Sequence, residues 1–226
     1  MAKRVSFEEP VDYTVTTTAG SLFGKPLIML NPGVNAWERV GTVVQPTRVQ
    51  ANIQLVFRYK PRTGIVAHEG QLYGQMCRLC LVWDRYPSGT IPEYNEVFNF
   101  RYTNGTQTTS YWSPVTNESN RFELLVDKYV ALNPTMFNAQ VWASSVGAEI
   151  VEPLGHYNET FITQLVKFDI PLHGRRTRFK HPPTAINLDV LEGQIYFFAI
   201  STLDDGYSHH DVHIHRFESH VEYNDS

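Results

Sequence analysis

The amino-acid sequence predicts an all-β fold in a single domain. Its 226 residues and 42% hydrophobic content are enough to build one sizeable core. Apolar and polar side chains alternate in several stretches, as in strands buried on one face, whereas helical repeats of apolar residues are scarce. Aromatic residues make up 13% of the chain, and 14 glycines and 13 prolines interrupt it. Together these features predict many strands joined by turns and long loops.

The first part of the chain predicts two strands and an intervening turn. Residues 11–18 alternate β-branched and aromatic side chains, which predicts a first strand, and residues 20–26 are predicted to form a break. The short apolar run 27–30 ends at the turn-forming sequence Asn-Pro-Gly of residues 31–33. Residues 43–60 form a long β pattern with one apolar and one polar face. The apolar face consists of Val49, Ala51, Ile53, Leu55 and Phe57.

The middle of the chain predicts a buried strand, a turn, a long loop and a second strand. Residues 76–83 are apolar, with Arg78 as the only charge, and predict a buried strand. A proline and a glycine within residues 84–89 predict the turn that ends it. Residues 102–120 are rich in Thr, Asn, Ser and Gly and predict a long loop, a class that is usually functional or interfacial. Residues 121–132 alternate again and predict a strand.

The last part of the chain predicts three strands. Residues 133–158 fit both a short helix and irregular turns. Residues 161–171 predict a strand, and residues 188–193 predict a turn region. Residues 194–202 are continuously apolar, which predicts a central strand buried on both faces. Residues 209–223 alternate apolar and polar side chains and predict the closing strand.

These roughly eight strands with long loops fit one architecture best, a jelly roll of two packed antiparallel four-stranded sheets. No internal repeat or low-complexity tract interrupts the order. The sequence therefore predicts one all-β domain rather than several smaller ones.

Charge and cysteine content limit the possible partners. The net charge of −4 and the pI near 6.1 do not by themselves indicate a nucleic-acid partner. Cys77 and Cys80 are three residues apart in a predicted strand, so they should face opposite sides as small buried residues and not pair. Such cysteine usage fits a reducing compartment. No apolar run approaches the roughly 20 residues needed to span a bilayer, so we expect no membrane contact.

The sequence carries no recognisable catalytic or cofactor motif. It lacks the nucleophile-elbow, zinc-protease, dinucleotide-binding and phosphate-loop patterns. His213 and His215 are two residues apart on a predicted strand and should leave the same face, as in a pair of metal ligands of the cupin type. The alternative is that they are solvated or interface histidines. We expect a protein without enzyme activity, cofactor or resident metal.

One basic run is a candidate nucleic-acid contact. Residues 174–181 contain Arg175, Arg176, Arg178 and Lys180 beside Phe179, and arginine with aromatic side chains can hold a phosphate backbone and stack a base. The polar face of the long early strand adds Arg48, Arg58 and Lys60. The alternative for the basic run is a solvated loop. Repeated over many subunits, such patches would produce a strong local field even though each chain is acidic.

Several segments, in one consistent order from residue 31 onward, resemble a known family. Residues 76–98 combine an apolar strand, an Asp-Arg pair, a Pro-x-Gly turn and the triplet Glu-Val-Phe. Arg39 and Gly41 stand in matching places before the first long strand, and residues 121–128 resemble a further strand of the family. Weaker matches follow in the later strands, at residues 167–179, 194–201 and 212–222. The chain thereby resembles the capsid proteins of circular single-stranded DNA viruses, the geminivirus and circovirus relatives.

The resemblance implies a viral jelly-roll coat protein. About sixty copies would close into a small icosahedral T=1 shell around a circular single-stranded DNA genome. It also implies a place in the virion, and in the host nucleus during assembly. The family usually carries an Arg-rich N-terminal arm that binds the genome and directs nuclear import. Here residues 1–10 form a short segment with only Lys3 and Arg4, before a predicted capsid domain at residues 11–226, so either the arm has been removed or strand and loop cations hold the DNA.

Two other functions remain open from the sequence. A satellite virus coat protein would enclose single-stranded RNA, and the sequence does not distinguish the two nucleic acids. A non-viral jelly-roll domain of the cupin or lectin type would instead be a monomer or small oligomer that binds a sugar or a metal. Assembly into particles separates the viral alternatives from the non-viral one.

Overall fold

In the computed structural model, most of the described residues lie in β-strands. The described residues are 3–15, 23–35, 38–59, 75–98, 100–103, 106–109, 120–132, 161–181, 189–201 and 210–225. They form one short helix, α1 (Tyr94–Val97), and twelve strands. The strands are β1 (Lys3–Val15), β2 (Phe23–Pro26), β3 (Val43–Tyr59), β4 (Gln75–Asp84), β5 (Phe100–Thr103), β6 (Thr106–Thr109), β7 (Phe122–Leu132), β8 (Phe161–Pro171), β9 (Thr177–Phe179), β10 (Val190–Glu192), β11 (Gln194–Ser201) and β12 (His210–Asp225).

The strands form two antiparallel sheets that pack as a β-sandwich. The larger sheet has the order β1-β12-β3-β9-β10, with β8 also paired to β3. The smaller sheet has the order β2-β11-β4-β7, and β5 and β6 form a separate hairpin. The predicted all-β class is confirmed. None of the described helices has the length and apolarity needed to cross a membrane.

The larger sheet has six strands, so the prediction of two four-stranded sheets was wrong in this respect. β8 lies along β3 opposite residues 48–58, and β9 lies along the same edge opposite Val43 and Val44. Gly174, with φ of 71°, makes the turn between them, and β10 then pairs with β9. β9 and β10 contain three residues each, which is too short for a recognisable alternation in the sequence.

Eight strands, all except β5, β6, β9 and β10, are paired in a nested order. β1 pairs with β12, β2 with β11, β3 with β8, and β4 with β7. β12 also pairs with β3, and β11 also pairs with β4, which assembles the four pairs into two sheets. Along the chain these strands alternate between the sheets, except at the step from β4 to β7.

The main core lies between the two sheets. The predicted apolar face of β3 is confirmed, because Val49, Ala51, Ile53 and Leu55 are fully buried, while the side chain of Phe57 is outside the described set. Phe197 of β11 and Phe217 of β12 contact each other across the sandwich, with ring centroids 5.1 Å apart.

A second core covers the opposite face of the smaller sheet. Phe98, which follows α1, packs edge-on against Phe198 of β11 with centroids 6.1 Å apart. β11 is thus buried on both faces, as its continuous apolar run predicts. Cys77 lies in the main core and Cys80 in the second core, which confirms that the two thiols face opposite sides.

Some boundaries differ from those predicted. β1 begins at Lys3 and not at residue 11, because it is an edge strand and tolerates Pro10, where an irregularity also interrupts the register. Lys3 and Arg4 therefore belong to the sheet and not to a separate N-terminal segment. β2 occupies part of a predicted break, and the hairpin of β5 and β6 enters the predicted loop at 102–120. The undecided segment 133–158 lies outside the described residues.

Candidate nucleic-acid interface

The basic run follows the turn at the end of β8 and continues through β9. Within it the side chains alternate, so that Thr177 and Phe179 are buried while Arg176, Arg178 and Lys180 are exposed. Thr177 donates a hydrogen bond of 2.6 Å from its hydroxyl to the carbonyl of Gly193, which fixes β9 to the start of β11. Three of the four predicted cations therefore reach solvent on one side of this short strand.

Two of these cations share one carboxylate. Glu192 of β10 lies 3.0 Å from Arg176 Nη2 and 3.5 Å from Arg178 Nε. Lys180 has no ion pair within the described residues, and its backbone N–H donates to the carbonyl of Asp189. The exposed side of β9 and β10 thus carries three cations and one carboxylate, which leaves a local positive excess. We call these four residues the β9 basic patch.

Arg175 is directed away from this patch. Its guanidinium pairs with Glu123 of β7 and lies over the Trp83 ring, 5.5 Å from the ring centroid. This contact joins the turn after β8 to the smaller sheet. Because Arg175 is half-buried and already ion-paired, it connects the two sheets and is poorly placed to contact a phosphate backbone.

Phe179 does not offer a stacking surface for a base, so that part of the prediction was wrong. Its side chain is only 2% exposed and belongs to the main core. The Arg39 guanidinium lies 4.1 Å from its ring centroid and donates hydrogen bonds to the carbonyls of Leu30 and Gly41. Burial lowers the pKa of Arg39. The alternation of side chains along β9 places Phe179 in the core. The sequence analysis did not assign a buried face to this segment.

The predicted cations of β3 lie on a different part of the surface. Arg48 pairs with Asp169 of β8 through two hydrogen bonds of 2.7 and 2.6 Å. These bonds raise the pKa of Arg48 and lower the pKa of Asp169. Arg48 is five residues along β3 from Val43, the partner of Arg178, a separation of about 16 Å. Arg58 lies in β3 but its side chain is not among those described, and Lys60 lies outside the described residues.

The part of the larger sheet's outer face formed by β1, β12, β3 and β8, on which Arg48 lies, is balanced in charge. Asn52 donates to Glu218 at 3.3 Å, and Arg216 pairs with both Glu8 and Glu218 at 2.5 Å. Among the described residues of β1, β12, β3 and β8, this face contains as many cations as carboxylates, namely Arg4, Arg48, Lys167 and Arg216 against Glu8, Asp169, Glu218 and Glu222. The structure therefore does not join the β3 cations and the β9 basic patch into one basic surface.

The predicted histidine pair lies on β12. His213 is opposite Val56 of β3, and His215 is an exposed residue at the register irregularity between Ile214 and Arg216. The side chain of His213 is not among those described. Within the described part of the chain, no group of three or more potential ligand side chains could hold a metal ion.

Two ion pairs, each with one buried partner, escaped the sequence analysis. Asp84, which is fully buried, accepts hydrogen bonds of 2.9 and 2.8 Å from Arg121, and this interaction raises the pKa of Arg121. Arg78 pairs with Asp127 in the same bidentate way. The isolated charge of Arg78 in an apolar run was the only signal in the sequence, because a buried arginine requires a partner.

No family model matches the chain, and a search of curated proteins finds no match to it either.

Proposed function

We propose that this chain is a jelly-roll coat protein whose copies assemble into a closed shell around single-stranded nucleic acid, most readily the circular DNA genome of a small virus. The observation that carries the proposal is the nested strand pairing, in which β1 pairs with β12, β2 with β11, β3 with β8, and β4 with β7.

The nested pairing supports a jelly roll because of how that fold is connected. A jelly roll contains eight strands in two packed sheets, and it occurs in viral capsids, lectins and cupins. The four nested pairs supply eight strands, four to each sheet. In this interpretation β9 and β10 extend one sheet, and the hairpin of β5 and β6 is inserted in the connection from β4 to β7.

Exposed apolar side chains favour an assembling protein over an isolated binding domain. The end of the sandwich where β3 begins and β4 ends carries Val34, Val40, Tyr86 and Leu191, with exposed fractions of 93%, 70%, 65% and 47%. Arg175 and Glu123 join the two sheets at this same end. Single exposed apolar residues are ordinary, whereas several at one end of a domain are suited to contact with another protein.

The β9 basic patch is the part of the described surface best suited to a phosphate backbone. Its three cations and one carboxylate give a local excess of positive charge, although the whole chain has a net charge of −4. Repetition of the patch over many copies in a closed shell would multiply the attraction for a polyanion. A phosphate group would compete with Glu192 for Arg176 and Arg178.

Assembly of the purified full-length chain tests the proposal. Negative-stain microscopy and analytical ultracentrifugation should reveal uniform closed particles, and nuclease digestion of their extracted contents should identify DNA. Contents destroyed by ribonuclease and not by deoxyribonuclease would instead favour a satellite RNA virus coat. Single chains in every buffer tested, above all with a bound metal, would overturn the proposal in favour of a cupin-type domain.

A further inference from the structure

Among the described residues, β1 is an edge strand with one unpaired side. One edge of β1 pairs with β12, and no other strand of the described residues pairs with its second edge. An open groove of about 320 Å³ lies between this part of β1 and the segment after β2, lined by Arg4, Val5, Ser6, Phe7, Met29 and Asn31. A long edge strand with an open side presents unpaired N–H and C=O groups and is a template for pairing with another strand.

The residues of this edge would be complementary to those of a second, antiparallel copy of β1. Arg4, Ser6 and Glu8 are exposed on the outer face, while Val5 is buried and Phe7 packs against the main core. Around Ser6 as the centre, an apolar residue stands on either side, followed by a cation in one direction and a carboxylate in the other. The next pair outward, Lys3 and Glu9, is also of opposite charge.

We propose that two copies of this chain join through β1, antiparallel and about a two-fold axis, with Ser6 of one copy opposite Ser6 of the other. This register places Arg4 opposite Glu8 of the second copy, twice because of the symmetry. Val5 lies opposite Phe7 of the second copy, also twice. The two larger sheets become one continuous sheet through an isologous contact.

Side-chain alternation selects this register over its neighbours. A shift by one residue would place outer-face residues of one copy opposite core-face residues of the other, for example Arg4 opposite Phe7. A shift by two residues would place Arg4 opposite Ser6, or Val5 opposite Glu9, and remove the charge complementarity. Pro10 follows the complementary segment and, with no N–H to donate, limits its length.

In the single chain, the surroundings of Arg4 and Glu8 are compatible with the proposed contact. Arg4 lies opposite Glu222 of β12 but forms no ion pair within the described residues. Glu8 already contacts Arg216, so in the joined copies its carboxylate would lie between two guanidiniums. Opposite charges that face each other across two strands stabilise a sheet, and like charges there destabilise it.

The S6C variant of the full-length chain tests the pairing directly. Directly opposed residues in antiparallel strands have Cα atoms about 4.5 to 5.5 Å apart, within the range that a disulfide requires. The native thiols of Cys77 and Cys80 are both buried. Mild oxidation of S6C should therefore convert most of the chain to a disulfide-linked dimer on a non-reducing gel.

K167C provides the matched control, because Lys167 is exposed on β8, away from β1 in the same sheet. Oxidation of K167C should leave it largely monomeric. Equal cross-linking of K167C and S6C, or no cross-linking of S6C at a concentration where the chain associates, would overturn the proposed pairing.

A charge exchange tests the register independently. The R4E variant presents two carboxylates on its β1 edge and E8R presents two guanidiniums, so each alone should lose the association. An equimolar mixture of the two should regain it, because all four facing positions are then oppositely charged. Circular dichroism melting of each variant checks that it is folded, and a failure of the folded variants to associate when mixed would contradict this register.

The pairing rests on the proposed function in one respect, because closed icosahedral shells contain two-fold contacts. The two proposals fail in different ways. Particles without cross-linked S6C dimers would overturn the β1 pairing and leave the coat-protein assignment in place. Cross-linked dimers that never form particles would support the pairing and contradict the shell.

Discussion

Arg78 of β4 and Asp127 of β7 form a bidentate ion pair, with N–O distances of 2.8 and 2.9 Å, beside the second core. Arg78 is only 2% exposed, and its guanidinium also lies over the rings of Phe98 and Tyr129. Burial disfavours the charged form of Arg78, but the hydrogen bonds to Asp127, together with the charge interactions of Asp127, Cys80 and Tyr129, outweigh this effect and raise the pKa of Arg78. The pair holds the segment after α1 against the smaller sheet.

The D127A variant should be destabilised by about 3 kcal/mol, because it leaves a buried guanidinium without its carboxylate. The urea midpoint at an unchanged m-value measures the effect. D169N is the matched control, because Asp169 forms a similar bidentate pair with Arg48 but on the exposed face of the larger sheet. A loss of stability in D127A no greater than in D169N would contradict a structural role for the pair of Arg78 with Asp127.

Alanine substitutions at Gly193 and Gly174 separate two effects, the backbone strain of a positive φ and the steric contact of an added Cβ. Both glycines have positive φ, of 72° and 71°, so alanine at either position strains the backbone by about 1 kcal/mol. A Cβ at Gly193 would also lie 2.2 Å from the carbonyl oxygen of Arg176, whereas a Cβ at Gly174 meets nothing within 4 Å.

We therefore expect G193A to lower the free energy of unfolding by about 3 kcal/mol and G174A by only about 1 kcal/mol. Denaturation of both variants under the same conditions provides the comparison. Equal losses would show that the structure relieves the contact between the added Cβ and the Arg176 carbonyl at no cost in stability.

Tyr223 should make stability sensitive to alkaline pH. Burial raises its pKa to about 12, and its hydroxyl has no hydrogen-bond partner within the described residues. An unfolded tyrosine ionises near pH 10, so the stability that Tyr223 contributes is complete below pH 10 and is lost as the pH rises to 12.

The Y223F variant should be about 1 kcal/mol more stable than the native chain at pH 7, because it removes an unsatisfied buried hydroxyl. Its advantage should increase between pH 10 and 12. Melting temperatures over this range measure both effects. Y86F, at an exposed tyrosine, should follow the native chain throughout, and a parallel decline of Y223F and the native chain would contradict the assignment.

The β9 basic patch can be tested with opposite changes of charge. The R176S/R178S variant should bind a single-stranded oligonucleotide more weakly, with a salt dependence shallower by about 1.4 in the log–log slope. E192Q should bind more tightly, because it removes the carboxylate that both arginines contact. Fluorescence anisotropy at several salt concentrations measures these effects.

R216S is the control for this experiment, because Arg216 lies on the outer face of the larger sheet and pairs there with Glu8 and Glu218. It should bind like the native chain. An equal loss in R216S and R176S/R178S would indicate a general charge effect, and weaker binding by E192Q would remove the patch from consideration.

The sequence predicted those parts of the fold that follow from local alternation. The buried face of β3, the doubly buried β11 and the opposite orientations of Cys77 and Cys80 all follow from a period of two. β9 and β10 were missed because three residues cannot display that period. The early start of β1 was missed because Pro10 interrupts a central strand but is tolerated at an edge.

The candidate site was predicted less completely, because its electrostatics depend on distant residues. The sequence showed the cations of residues 174–181 close together along the chain, but not that Arg175 is directed away from the other three. It did not reveal that Arg175 pairs with Glu123, 52 residues away, or that Arg48 pairs with Asp169, 121 residues away. Only the assembled sheets bring these carboxylates to their arginine partners. With Arg48 and Arg175 paired in this way, the β9 basic patch is the region with a positive excess.

The pairing of β1 with β12 has a consequence for biosynthesis. Glu8 meets Arg216, 208 positions further along the chain, so the larger sheet cannot close until translation has passed β12. Until then, β1 is outside the ribosome without β12, the strand with which it pairs. The charges at Lys3, Arg4 and Glu8 would protect this waiting strand from aggregation between nascent chains, since charged edges resist indiscriminate pairing.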